Sequence, residues 1–207
     1  MIVHTLPVGP VQTNCYVAVC EQTRRAAVID PGWSASHILS ALESLRATLD
    51  QILLTHAHFD HIGALADLVD ATQAPVAMHP LDLPLLRAGG GASLWGIPMR
   101  PAPDPDRSLA HGQIIEVGAL RFEVRFAPGH TPGHVVFWLE AEKAVFAGDV
   151  LFQRGIGRTD FPGGDFDTLI ASIRSQLLTL PDDTIVYSGH GPPTTIGDER
   201  AFNPFLE

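Results

Sequence analysis

Lysine is almost missing from this 207-residue chain: of its 13 basic residues only Lys143 is a lysine. A mechanism that runs through a lysine Schiff base therefore has next to no material to work with. Positive charge is scarce altogether, with 13 basic against 23 acidic residues and a formal net charge of −10. Such a chain is poorly matched to a phosphate backbone, so no nucleic-acid partner is expected. Its one basic doublet, Arg24-Arg25, suits a solvated turn between strands. Cysteine is limited to Cys15 and Cys20, five apart in strand-like sequence, which points them to opposite faces. They form neither a disulfide framework nor a CxxC metal knuckle and read as buried free thiols. Every apolar stretch is broken by charge, Gly or Pro well short of a membrane span, and the opening MIVHTLPVGP has no basic region followed by a long apolar run and a cleavage site. A cytoplasmic protein without a membrane partner is the expectation. Also missing are a G-x-S-x-G elbow, a phosphate-binding P-loop, a dinucleotide fingerprint and a deaminase-type PCxxC.

What is present is apolar patterning, in a chain that is 45% hydrophobic and 17% charged. Cys15 to Cys20 and Ala26 to Asp30 read as strands, and Ile38, Leu42 and Leu45 mark a helix over His37 to Thr48. A short apolar strand, Ile52 to Leu54, runs straight into THAHFDHIG, after which Ile62, Leu65 and Val69 mark another helix. Pro75 to Met78 predicts a strand and Leu81 to Ala88 a short helix. Gly89 to Arg107 is a Gly- and Pro-rich loop carrying Leu94, Trp95, Ile97 and Met99, and is either a lid or a plain connection. Ile114 to Val117 and Leu120 to Phe126 alternate as a hairpin around Gly118. Strands His134 to Leu139 and Ala144 to Ala147, a helix Phe166 to Leu178 and a strand Thr184 to Tyr187 follow. Sheets inside and helices outside, in one domain over residues 1–207, fit this order.

The chemistry lies in the ten histidines. His56, His58, Asp60 and His61 form HxHxDH on a strand-to-helix loop, and His130, Asp149 and His190 each follow a strand beside small residues, in PGH, AGD and SGH. Imidazole and carboxylate ligands without nearby cysteine suit zinc, iron or manganese rather than a structural cysteine-rich zinc site. His56 and His58, two apart on extended chain, point the same way and can share one ion, while Asp60 and His61 face a neighbouring one. Asp149 is the candidate bridge, able to hold two ions roughly 3.5–4 Å apart. His134 either orients a ligand or caps a strand. His4, His37, His79 and His111 read as ordinary core or surface histidines.

These motifs, with VIDPG at Val28 to Gly32, THAHFDHIG at Thr55 to Gly63, APGHTPGH at Ala127 to His134, AGD at Ala147 to Asp149 and SGHG at Ser188 to Gly191, resemble the metallo-β-lactamase superfamily and within it the glyoxalase II (hydroxyacylglutathione hydrolase) group. The resemblance implies an α+β fold, a four-layer αββα sandwich with the site at one edge of its two sheets. It implies two divalent metal ions, zinc or iron with manganese also compatible. His56, His58 and His130 would bind the first, Asp60, His61 and His190 the second, and Asp149 would bridge. Asp30 would brace the metal loops, although on sequence alone it reads equally as a turn residue before Pro31. The implied reaction is attack of a metal-bridging hydroxide on a small-molecule thioester or ester, with Asp60 taking the proton.

Two departures from full-length glyoxalase II stand out. Only seventeen residues follow His190, so the C-terminal helical substrate region of that group is not expected. In place of another of its glutathione contacts stands GIGRTDFPGGD, Gly155 to Asp165, where Arg158 is a candidate for holding a substrate carboxylate or, equally, a structural ion pair. The embedded GRTDF, Gly157 to Phe161, resembles persulfide dioxygenases, which implies as a rival a single iron on His56, His130 and Asp149. A non-catalytic metal-binding protein is the third reading.

Overall fold

Successive residues of a strand point to opposite faces of a sheet, and when both faces are covered the strand reads as a continuous apolar run. The computed structural model, which describes residues 1–207, follows this rule throughout its interior. The first half supplies β1 (Ile2–Val8), β2 (Thr13–Val19), β3 (Arg25–Ile29), α1 (Ala35–Ser44), β4 (Thr48–Leu53), α2 (Phe59–Ile62), α3 (Leu65–Thr72), β5 (Val76–Met78), α4 (Leu83–Arg87) and β6 (Arg107–Ser108). The second supplies β7 (Ile114–Val117), β8 (Leu120–Phe126), β9 (Val135–Leu139), β10 (Ala144–Gly148), β11 (Leu151–Phe152), β12 (Gly155–Ile156), α5 (Phe166–Ser172), β13 (Ile185–Ser188), β14 (Thr194–Thr195) and α6 (Ile196–Phe202).

Two six-stranded sheets result, ordered β1-β2-β3-β4-β5-β6 and β14-β13-β10-β9-β8-β7. In the first, β1, β2 and β3 are antiparallel and β3 to β6 parallel; in the second, β10 and β13 are the parallel pair. Residues divide between three cores by parity. In β2, Cys15, Val17 and Val19 face the helices α1 and α3, while Tyr16, Ala18 and then Cys20 face the other sheet. In β9, Val135, Phe137 and Leu139 face inward, and Val136 and Trp138 face the core under α5. Three cores between four layers make the αββα sandwich, as expected. Both cysteines are free, buried and on opposite faces of their sheet. No helix is long and apolar enough to cross a membrane.

The structure differs from the sequence reading in a few places. β1 was not anticipated: it is an edge strand of mixed exposure, and Pro7, tolerated at an edge, weakens its signal. Helix α1 stops at Ser44, and β4 begins at Thr48 rather than Ile52, because Leu49 stands alone between the polar Thr48 and Asp50 and makes no apolar run. The helix expected over Phe166 to Leu178 is α-helical only to Ser172 and continues as a π-helical turn, Ile173–Leu177. Gly89–Trp95 is wound into 3₁₀ turns within the expected loop.

The inter-sheet core centres on Phe122, Phe137 and Phe146, all fully buried, with the Phe122 ring 6.5 Å from Phe137 and 6.3 Å from Phe146. Replacing Phe122 by alanine removes the ring common to both contacts. Urea unfolding of the Phe122→Ala protein is expected to show a loss of about 3–5 kcal/mol; a loss below about 1 kcal/mol would mean that the two sheets do not depend on this cluster.

Candidate metal centre

The seven candidate ligands lie where strands end. His56, His58, Asp60 and His61 follow β4, His130 follows β8, Asp149 follows β10 and His190 follows β13. All but His190 are buried. The backbone yields where the loops meet: Gly148, at φ 48°, is in the left-handed region, and a Cβ there would overlap Thr55 Oγ1 and His134 Nε2, while a Cβ on Gly189 would overlap Asp149 Oδ1.

Two buried carboxylates hold the histidine loop. Asp30, itself at a positive φ of 51° that aspartate tolerates, accepts from Thr55 N (2.8 Å) and Thr55 Oγ1 (2.6 Å) and pairs with His61 Nδ1 (3.0 Å). Thr55 Oγ1, whose hydroxyl donates to Asp30, accepts a hydrogen bond from His56 Nδ1–H (3.0 Å). Arg158 O accepts one from His130 Nδ1–H (2.7 Å). His56, His61 and His130 are thereby fixed as tautomers whose Nε2 lone pairs point into the site. The second carboxylate, Asp82, accepts from Ala57 N (3.1 Å), Thr131 Oγ1 (2.8 Å) and Gly133 N (2.6 Å), which joins the loop of His56 and His58 to the loop of His130. The sequence reading missed Asp82. It sits in an ordinary turn, His79 to Asp82, and no neighbouring residue marks it as anything but polar.

The donor atoms fall into groups whose members lie within 4.8 Å of one another: His56, His58 and His130; Asp60, His61 and His190. Asp30 meets the same criterion with His56 and His61, but its oxygens are already engaged by three donors. Asp149 stands between the groups, with Oδ1 3.4 Å from His61 Nε2 and Oδ2 3.6 Å from His130 Nε2 and 3.5 Å from His190 Nε2. Asp60 Oδ2 lies 3.2 Å from His190 Nε2 and accepts from Thr13 Oγ1 at 2.7 Å. His134 stacks on His56, centroids 4.7 Å apart, and its Nε2 accepts from the Asp149 backbone N–H at 3.1 Å. It thus contacts one ring of the first group and the backbone of Asp149, from a position immediately before β9.

The donor set fits cations. His56 Nε2, His61 Nε2 and Asp149 Oδ1 are buried with no hydrogen-bond partner, an expensive state for polar atoms in a native core. His58 Nδ1 and His130 Nε2 approach to 2.8 Å, a hydrogen bond when one of them carries a proton and a pair of converging ligand atoms when neither does. Burial first, and neighbouring imidazoles after it, hold His56 well below the ordinary histidine range and His58 at about 3, while burial lowers His130 against the pull of Asp149. These rings are neutral at pH 7, as ligation requires. Around the other group burial is outweighed: His61 holds Asp60 down at about 2, and Asp149 and Asp60 lift His190 to about 9. Protons on His61, lifted against its burial well above the ordinary histidine range by Asp60 and Asp149, and on His190 balance these carboxylates here, and a cation would take their place.

Of the remaining predicted residues, Arg158 is mostly exposed and pairs with Asp160, Nε to Oδ1 and Nη2 to Oδ2, both at 2.7 Å. His79 and His111 have structural roles, His79 stacked on Phe126 and His111 accepting from Phe126 N. The segment after Gly89 is more than a connection, since Leu94, Trp95 and Ile97 form one wall of a cavity of about 410 Å³ that opens onto His58, Asp60, His130, Asp149 and His190.

A fold of two packed sheets with clustered His and Asp donors at one edge defines a class, and the chain belongs to it: the metallo-beta-lactamase superfamily, whose family profile matches residues 8–190. Along 100% of its length it is 43% identical to "Hydroxyacylglutathione hydrolase GloC" of Haemophilus influenzae, covering 98% of that protein. Among solved structures it is similar to BLEG-1, described as a B3 metallo-beta-lactamase (43% identity, TM-score 0.94, 99% of each chain). It is also similar to TTHA1623 in a di-iron-bound form (43%, 0.91, 99% of this chain and 100% of that one) and to ETHE1 from Myxococcus xanthus (34%, 0.83, 99% and 84%).

Loss of Asp82 would leave Ala57 N, Thr131 Oγ1 and Gly133 N without an acceptor. Asp82→Ala is expected to cost about 2–5 kcal/mol in urea unfolding with chelator present, against under about 0.5 kcal/mol for Asp104→Ala, which breaks only an exposed pair with Arg87. Equal small losses would remove Asp82 from the framework of the site.

Proposed function

We propose that this protein is a hydrolase of small-molecule thioesters that works with two divalent metal ions, zinc or iron, with manganese also compatible. His56, His58 and His130 hold one ion, Asp60, His61 and His190 the other, and Asp149 is shared. The position of Asp149 carries this reading: its carboxylate stands between the two donor groups, Oδ2 lying 3.6 Å from His130 of one and 3.5 Å from His190 of the other, with Oδ1 3.4 Å from His61. The di-iron form of TTHA1623 and the name of the GloC protein support it. Ions bound there supply an acidified water as nucleophile and polarise the carbonyl under attack.

The protein's own groups do the rest. Asp60, ionised and steadied by Thr13 Oγ1, receives the proton of the attacking water. Asp30, Thr55 and the Arg158 carbonyl keep three imidazoles in the tautomer that offers Nε2. The apolar wall of Leu94, Trp95 and Ile97 limits water around the reacting carbonyl. The acidic balance of the chain and its lack of a membrane-crossing helix accord with a small-molecule substrate, a location in the cytoplasm and action without nucleic acid or membrane.

A second reading, an iron oxidoreductase acting on a persulfide through His56, His130 and Asp149, draws on the close coupling of GRTDF to this centre. Arg158 O fixes His130, and the Phe161 ring lies 5.5 Å from His58. Metal analysis of the purified protein, with parallel assays of thioester hydrolysis and of oxygen uptake with a persulfide, separates the two. Two metals per chain with thioester turnover are expected; one iron with oxygen uptake would replace the hydrolase reading by the second. His61→Ala is expected to lose one metal and at least about 100-fold in hydrolysis, the scale seen when a preorganised electrostatic group is removed. Unchanged metal content in that variant would mean that His61 holds none.

A further inference from the structure

The cavity over the centre has a composition that the metal chemistry does not require. Val11, Leu94 and Trp95 are 47%, 68% and 56% exposed, large apolar side chains turned to solvent around one mouth, and Ile97, Phe59 and Phe161 continue the wall. Exposed apolar groups gathered around a cavity mark a binding site more often than a chance surface. The backbone is arranged to keep them there: Gly90, at φ 65°, packs so closely on Phe59 that a Cβ would overlap its backbone, which seats the segment carrying Leu94 and Trp95 against α2. Trp95 and Phe161 meet edge to face, centroids 6.4 Å apart.

Charge is nearly absent from this wall. Arg158 is the only arginine or lysine lining the cavity, and it is doubly engaged, by both Asp160 oxygens and by the face of Phe161, 3.8 Å from its guanidinium carbon. A substrate that brings carboxylates of its own, as a glutathione thioester does, would meet among these residues one guanidinium whose charge is already balanced by Asp160 and whose only unengaged nitrogen is Nη1.

We propose that the cavity takes an uncharged apolar group, aliphatic or aryl, carried by the thioester, with Trp95 and Phe161 grading its size. This rests on the reading of the site as a thioester hydrolase and names the substrate class within it. The group can belong to either side of the scissile bond. Burial of each methylene against such a wall is worth about fourfold in affinity or kcat/KM.

The test uses the metal-loaded full chain and two series of thioesters. One lengthens the acyl group from acetyl through butyryl to hexanoyl on N-acetylcysteamine. The other keeps acetyl and enlarges the thiol from methanethiol through butanethiol to benzyl mercaptan. kcat/KM is expected to climb about fourfold per methylene in one series, which identifies the side that enters the cavity, and the corresponding S-acyl glutathione is expected to show no advantage. Trp95→Ala, at an exposed position, is expected to flatten the climb while thermal unfolding stays within a few degrees of the parent. Flat series on both sides, or a gain of tenfold or more from the glutathione carrier, would overturn the proposal. Absence of turnover with every thioester would instead overturn the hydrolase reading, and calorimetric binding of acetate, butyrate, hexanoate and the matching thiols would then decide: affinity rising with chain length sustains the apolar site, and equal affinities remove it.

Discussion

The histidine loop between β4 and α2 is held from two sides by buried carboxylates, and the rest of the centre depends on that grip. Asp30 secures the start of the loop through Thr55 and reaches across to His61; Asp82 secures its middle through Ala57 N and ties it to Thr131 and Gly133 of the His130 loop. Each carboxylate satisfies several donors that would otherwise be stranded in the interior, where an unpaired polar group costs more than a hydrogen bond gains. The same bonds decide which nitrogen of each ring faces inward. Fold stability and ligand geometry are thus set by one network, and the loop cannot relax toward a more comfortable packing without unsatisfying it.

What the network leaves unsatisfied is informative for the same reason. In a core where nearly every polar atom has a partner, the exceptions include His56 Nε2, His61 Nε2 and Asp149 Oδ1, all within the donor cluster. Neutral imidazoles crowd one side, and carboxylates that lift His190 crowd the other. Protons can balance this charge one at a time, but only a multivalent cation answers several converging lone pairs together. The strands supply the convergence: β4, β8, β10 and β13 all end at this edge, so residues far apart in sequence meet without any long loop having to be ordered for the purpose.

Much of this was legible in the sequence because two signals were independent of context. HxHxDH after an apolar run carries its chemistry in its spacing, and the short apolar runs Cys15 to Cys20 and His134 to Leu139 read as strands. Sheets inside and helices outside followed from those runs and from the helical spacing of Ile38, Leu42 and Leu45, while the four-layer order came from the family resemblance. Other features could not be read this way. β1 is a partly exposed edge with an internal proline, and the polar first half of β4 owes its conformation to pairing with β3 rather than to its own residues. Asp82 acts through the backbone of distant loops, a role visible only once those loops are in place. Arg158 was open between a substrate contact and an ion pair. The pair with Asp160 exists, and it is exposed enough to leave the residue at the rim of the cavity.

GRTDF joins the two functions of the site in one short segment. The backbone carbonyl of Arg158 orients His130, its side chain neutralises Asp160 at the cavity rim, and Phe161 lies against both His58 and the Arg158 guanidinium. Backbone and side chain act separately here. A change of the Arg158 side chain alters charge and shape at the cavity rim and leaves the carbonyl that sets the His130 tautomer in place. The shape and charge of the cavity rim can therefore change at this segment without rebuilding the donor geometry beneath it. The buried carboxylates fix the centre, and the exposed side chains above it can change without disturbing those bonds.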